Sequence, residues 1–467
     1  MAAPVFETAP RRTPRRLLLV SYHFPPDPAV GGTRWQKLAR YAAERGWGLD
    51  VVTLDPSDLA QRDVERLEDL PGGVRVYGVG AARLRIETAA DRAWSVFRGG
   101  SAHGNGNGTA AQRQSRRRAD AVGTFEKRDV KRAYFAWLEY ARGRRWARRA
   151  TARALSVLQP GLHRVVVTSG PPHMVHEAGR RISRATGLPF VADLRDPWRL
   201  VQRLPESIAS PLWYALAAFY ERRMVQRAAL IVANTEPHRH ALRAVYPAAA
   251  DRIITVPNGC DDDALPLPEP RIGSAARSRF VVAYAGTIYL DRDPRPLLRA
   301  AARVIAQQRL VPDEFGIELM GEVERFDGVS VKQIAAEEGI ARYVRLHPRG
   351  TRREALRFLS QAQLLVVLPQ DSDLAIPAKM FDYMRCDAWV LALARRDCAV
   401  ELLLRGSAAD VVAPDDVPAI ADLLGARVAQ YRAGARPQRL SRDPRYGRRA
   451  MADRLFEAIE ALTCAAS

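Results

Sequence analysis

The chain has 467 residues, is 47% hydrophobic and 27% charged, and carries a net charge of +20. That length exceeds one ordinary core, so two globular domains are expected. No apolar run approaches the roughly 18 residues that span a bilayer, the N-terminus lacks the order of a signal peptide, and the four cysteines include no close pair; a membrane-spanning protein, a disulfide scaffold and a zinc site are therefore set aside, and a cytoplasmic location is expected.

Arg15 to Tyr22 reads as a first strand, buried on both faces. A loop from His23 to Gly32 leads into a helix from Thr33 to Arg45, with Trp35, Leu38, Ala39 and Ala42 at helical spacing. Leu49 to Leu54 is a second strand. This order predicts a parallel, doubly wound sheet. Gly31 and Gly32 lie where the backbone approaches a ligand closely, or merely turns. The run from Gly99 to Gly108 is low in complexity, and a disordered insertion is expected over 99–126. Lys127 to Ala154 mixes Tyr134, Phe135, Trp137, Tyr140 and Trp146 with arginines at helical spacing. Two readings stay open there: helix packed on the sheet with a solvated basic face, or a patch (127–154) that meets an anionic membrane surface. Lysine occurs only at 37, 127, 131, 332 and 379. No helix-turn-helix, zinc finger or aromatic RNA-binding signature accompanies the arginines, so no nucleic acid is expected.

Alternation resumes with a strand at Arg164–Thr168, a helix to Thr186 and a strand at Pro189–Leu194. Polar residues just past such strands are where parallel sheets bind ligands. His173, Asp193, Arg195 and Asp196 are therefore site candidates, with a structural Arg–Asp pair as the alternative for the last three. Further strands fall at Ala229–Ala233 and Arg252–Val256, and Leu265 to Gly273 is a proline-rich linker. A second alternating unit begins with a strand at Phe280–Tyr284 and a loop from Ala285 to Leu290, followed by Arg292. Strands at Phe315–Met320 and Val344–His347, a capping box at Thr351–Glu354 and a buried strand at Leu364–Pro369 follow. A helix is expected to open near Pro377, with Lys379 in its first turn and Asp382 one turn on. Strand, loop and helix start can present backbone N–H groups to an anion. A cation near a phosphate and a carboxylate near ribose hydroxyls would suit a nucleoside diphosphate.

The ordered motifs Ser21-Tyr-His-Phe-Pro-Pro-Asp-Pro-Ala-Val-Gly-Gly32, Thr168-Ser-Gly-Pro-Pro-His173, Ala192-Asp-Leu-Arg-Asp-Pro-Trp198, Val256-Pro-Asn-Gly259, Tyr284-Ala-Gly-Thr287 and Ile376-Pro-Ala-Lys-Met-Phe-Asp-Tyr383 resemble bacterial glycosyltransferases of family 4. The resemblance implies the α/β GT-B architecture: two Rossmann-like parallel-sheet domains facing a cleft, with a C-terminal helix crossing back to the first. It places an acceptor-side domain at 1–272, a nucleotide-sugar domain at 273–430 and the returning segment at 431–467. It implies a retaining, metal-independent transferase of hexosyl type, with no cofactor and a UDP- or GDP-sugar as donor. The acceptor would be a saccharide or a lipid-linked one in polysaccharide or glycoconjugate synthesis, with a peripheral position at the inner face of the cell membrane left open. Gly31, Gly32, Gly286, Thr287, Arg292, Lys379 and Asp382 would bind the donor. His173, Asp193 and Asp196 would be catalytic and Arg195 acceptor-side. Two departures stand out. The family's two glutamates lie eight apart, and here the positions hold Leu374 and Asp382; its basic pair near 292 is Arg292 followed by Asp293. A non-catalytic nucleotide-sugar-binding protein and a nucleotide-sugar epimerase of the same fold are the alternatives.

Overall fold

The computed structural model describes residues 3–82, 127–261 and 279–464. The expected insertion over 99–126, the proline-rich linker and the 272/273 boundary lie outside the described residues.

The first sheet has eight strands: β1 (Phe6–Glu7), β2 (Arg15–Ser21), β3 (Trp47–Leu54), β4 (Val74–Val79), β5 (His163–Gly170), β6 (Phe190–Leu194), β7 (Leu230–Ala233) and β8 (Ile253–Thr255). Their order is β1-β4-β3-β2-β5-β6-β7-β8. All pairs are parallel except β1 with β4. Alternate residues of β2 serve opposite layers, which explains its unbroken apolar run. Leu17 and Leu19 pack with Trp35 and Leu38 on one side, and Leu18 and Val20 with Trp146 and Ala150 on the other.

The second sheet holds β9 (Phe280–Thr287), β10 (Phe315–Glu322), β13 (Val344–His347), β14 (Leu364–Val367), β15 (Trp389–Leu393) and β16 (Asp410–Val412), ordered β13-β10-β9-β14-β15-β16. Between β10 and β13 lies a small hairpin, β11 (Arg325–Phe326) with β12 (Val329–Ser330). Both sheets reverse strand order once, between β2 and β5 and between β9 and β14. Ligands of doubly wound sheets bind beyond the strand ends at that switch point.

Three expectations change. Gly286 and Thr287, expected in a loop, extend β9 and pair with Gly321 and Glu322. The backbones can approach because both glycines lack a Cβ, and one on Gly321 would strike the Gly286 carbonyl oxygen. The helix expected near Pro377 starts at Lys379 and runs only to Tyr383. A helix absent from the sequence reading, Val417–Arg432, crosses the expected boundary at 430 and packs Ile420, Leu424 and Val428 on the second sheet. The Thr351–Glu354 capping box is present.

The C-terminal helix, Arg448–Cys464, returns to the first domain. Ala452, Leu455, Phe456 and Ile459 are fully buried against the layer that holds Leu17 and Trp35. Glu460 accepts from Arg15 at 2.6 Å and from Arg45 at 3.0 Å. Arg448 fastens the crossing by donating to Asn258 O, Gly259 O and Asp261.

Candidate active site

The switch point of the second sheet gathers the cations. Arg292, after β9, makes a two-pronged pair with Asp371 at 3.0 and 2.9 Å and lies over the Tyr289 ring. This fork holds the guanidinium charged and rigid. Lys379 reaches back from its short helix to the Gly286 backbone, where an added Cβ would strike its Nζ. Its Nζ lies 3.8 Å from the Tyr284 ring centroid, is buried and has no hydrogen-bond partner. Burial, and then Arg292, hold its pKa well below the ordinary lysine range, while Asp371 opposes. Gln370, buried just ahead of Asp371 in the chain, also leaves both amide atoms unpartnered.

The first domain supplies the facing wall. His173 stacks on Trp198, centroids 5.1 Å apart and planes 15° apart, and its Nδ1 is buried without a partner. Burial, His176, Arg195 and His238 push its pKa well below the usual imidazole range, so it is neutral near pH 7. Asp196 is exposed in this wall. Crowding by surrounding protein, opposed by Arg195, raises its pKa; Asp371 across the cleft adds to the rise and Arg292 opposes it.

Arg195 is mostly buried and donates to Gly31 O at 2.5 Å and to Pro171 O. It staples the glycine loop to the loop that carries His173, so the geometry gives it a positioning role in place of a free acceptor contact. An added Cβ on Gly31 would press on this guanidinium, and one on Gly32 on the Phe24 backbone. Asp193 is completely buried and accepts on one oxygen from Arg34, Trp35 and Ser169, at 3.0, 2.9 and 3.0 Å. It lies under the wall as a hub, and the structure brings it to no surface a substrate reaches. Asp382 pairs with Arg352 at 2.7 Å and lies 3.8 Å from Arg385. It shares the 379–383 helix with Lys379, but its oxygen is engaged by these arginines.

Where the family pattern has its first glutamate, the Leu374 carbonyl accepts from Thr235 Oγ1 of the first domain at 2.6 Å. Its neighbour Asp373 is bound from the same side: Gln202 donates to its carboxylate at 3.0 Å and accepts from its backbone N–H at 2.6 Å. Arg203 adds a pair with Asp291 at 3.1 Å. The domains therefore meet over the site through Gln202, Arg203 and Thr235. Sequence reasoning missed this clasp, because Gln202, Arg203 and Thr235 belong to no motif. It missed Arg34 as well, an arginine on an otherwise amphipathic helix. The Asp371 partner of Arg292 lies in the loop between the Leu364 strand and Lys379, outside every motif quoted above.

Two facing Rossmann-like domains, with cations at one switch point and a glycine loop at the other, define a GT-B protein. Solved structures of similar fold include sucrose-phosphate synthase from Thermosynechococcus elongatus (TM-score 0.61, 13% identity, 97% of this chain and 100% of that one). Another is HepE from Anabaena, solved in complex with UDP-glucose (TM-score 0.55, 13% identity, 96% and 99%). The sequence profile of Glycosyltransferase Family 4 matches residues 110–264. D-inositol 3-phosphate glycosyltransferase 1 from Catenulispora acidiphila is 30% identical over 203 residues, 40% of this chain and 47% of that protein. The matched region thus spans about half the length of that curated relative. The resemblance to family 4 glycosyltransferases of the GT-B fold stands. Among the described residues no helix is long and apolar enough to cross a membrane.

Proposed function

We propose that the chain is a retaining glycosyltransferase that moves a hexosyl group from a UDP- or GDP-sugar to a saccharide or lipid-linked acceptor in polysaccharide or glycoconjugate synthesis. One observation carries this reading: the unpartnered Lys379 Nζ beside the Gly286 backbone and the fixed Arg292. A buried cation without a partner is costly in the free protein and becomes favourable when an anion arrives. A nucleoside diphosphate gains charge as the glycosidic bond breaks. Arg292 and Lys379, held in place beforehand, stabilise that charge, so no metal is required in this scheme. Neutral His173 and exposed Asp196 face the reacting sugar from the first domain. HepE was solved in complex with UDP-glucose, and the fold shared with it supports a donor of that chemical kind.

The test is calorimetry of the protein against a panel of UDP- and GDP-sugars, followed by proton NMR of the anomeric configuration in any product. A saturable donor, a product that keeps the donor configuration and a loss of about 100-fold or more in turnover for Lys379→Ala are expected, as for removal of one preorganised donor. Inversion would remove the retaining assignment. Donor binding without transfer to any acceptor tried would favour the non-catalytic alternative.

A further inference from the structure

The helix Lys127–Val157 presents one face that no other element among the described residues covers. Val130, Tyr134 and Trp137 follow one another at helical spacing and are 57%, 42% and 42% exposed. The same stripe continues through Arg144, Arg145 and Arg148, exposed or half-buried, and no ion pair ties them to a carboxylate among the described residues. The opposite face is core: Ala136, Tyr140, Ala147 and Ala150 are buried. The neighbouring helix, Pro211–Arg227, touches it through Tyr140, Trp213 and Tyr220 and exposes Phe219 by 51%, with Arg223 over that ring. Exposed rings and aliphatic side chains flanked by unpaired arginines match the boundary between lipid headgroups and acyl chains.

We infer that this face docks the protein on an anionic lipid bilayer. Lipid is favoured over single-stranded nucleic acid by the geometry of the rings. Tyr134 and Trp137 stack on each other, centroids 6.2 Å apart and planes 29° apart, so part of each face that a base would stack on is taken. Their edges, with Val130, remain as apolar area to insert. The helix also ties the surface to the cleft: Tyr140, three residues on from Trp137, accepts from Trp198 Nε1 at 3.0 Å, and Trp198 is the ring on which His173 stacks. Given the proposed glycosyl transfer, docking would hold the acceptor side of the cleft close to the bilayer, which suits a lipid-linked acceptor.

The experiment is co-sedimentation with vesicles of phosphatidylcholine alone and of phosphatidylcholine mixed with phosphatidylglycerol. Binding to the anionic vesicles only, weakening steeply with salt, is expected. Each arginine lost from the set Arg144, Arg145 and Arg148 should weaken binding about fivefold, and Trp137→Ser with Tyr134→Ser should lower it further. Equal binding to neutral vesicles, or indifference to salt, would overturn the inference even if the variants proved unstable. So would unchanged binding by folded variants, or an oligonucleotide that binds where vesicles do not. Donor binding measured without vesicles is independent of this face, so failure here would leave the transfer reading intact.

Discussion

Lys379 shows how a single side chain links stability to function. Its ammonium is buried, unpartnered and beside Arg292. Its pKa in the fold therefore lies below that of the unfolded chain, and the unfolded chain binds more protons. By linkage, stability rises with pH across the interval between the two values. A diphosphate reverses the local field and draws a proton onto Nζ. Donor binding should therefore take up close to one proton where Lys379 is neutral in the free protein, and affinity should fall as pH rises. Calorimetry in buffers of different ionisation enthalpy reads that uptake directly. Lys379→Met should raise the melting temperature of the free protein and abolish the proton uptake along with most donor affinity. A variant that lost stability would show that the ammonium has a partner in solution. The motif placed this lysine at the loop, but only the fold shows that its ammonium is buried without a hydrogen-bond partner.

At the scale of the element, the two helices that flank the sheets make separate predictions. In Pro211–Arg227, Glu221 is fully buried; it accepts from the Arg199 N–H at 3.1 Å and the Tyr246 hydroxyl at 2.9 Å. Burial raises its pKa from 4.5 to about 7, against these hydrogen bonds. The folded chain thus holds a proton that the unfolded chain has lost between pH 4.5 and 7, and stability falls as pH rises through that window. The full effect is at most about 3 kcal/mol. Glu221→Gln should flatten this part of the pH profile in urea denaturation without changing donor affinity. In the C-terminal helix, Phe456 is fully buried and meets Trp35 edge-on at 6.5 Å. Phe456→Ala should cost about 3–5 kcal/mol in thermal or urea unfolding, although this helix lies at the far end of the chain from the strands it covers. Such elements differ in how legible they were. The strands of unbroken Val, Leu and Ile showed in the sequence because both their faces are buried. Val417–Arg432 did not, since Leu423 and the alanines on its outer side blur the stripe formed by Ile420, Leu424 and Val428. Strand β4 was lost in a short stretch flanked and interrupted by glycines, although it pairs with the preceding strand β3.

The whole molecule adds what no local pattern carries, the relation between the two domains. The motifs gave the cleft and the side of it on which each falls, because strand ends and glycine turns have fixed places in a doubly wound sheet. They did not give closure, which rests on Gln202, Arg203 and Thr235 reaching Asp373, Asp291 and Leu374. This clasp occupies the place where the family pattern has its first glutamate, so here the loop before Lys379 is held from the opposite domain. Each contact is modest: an exposed ion pair contributes about 0.2–1 kcal/mol and an ordinary hydrogen bond about 1 kcal/mol. Together they exist only when the cleft is shut, so they act on the balance between open and closed forms. Gln202→Ala with Arg203→Ala should shift that balance by about 1–2 kcal/mol toward the open form. Small-angle scattering of the free variant should give a larger radius of gyration than the wild type. Saturating donor should restore the wild-type value, since Arg292 and Lys379 are untouched. Donor affinity should drop by roughly the same free energy, about fivefold to 30-fold. An unchanged radius with unchanged affinity would mean that the C-terminal crossing alone, anchored by Arg448 on Asn258 and Gly259, keeps the domains together.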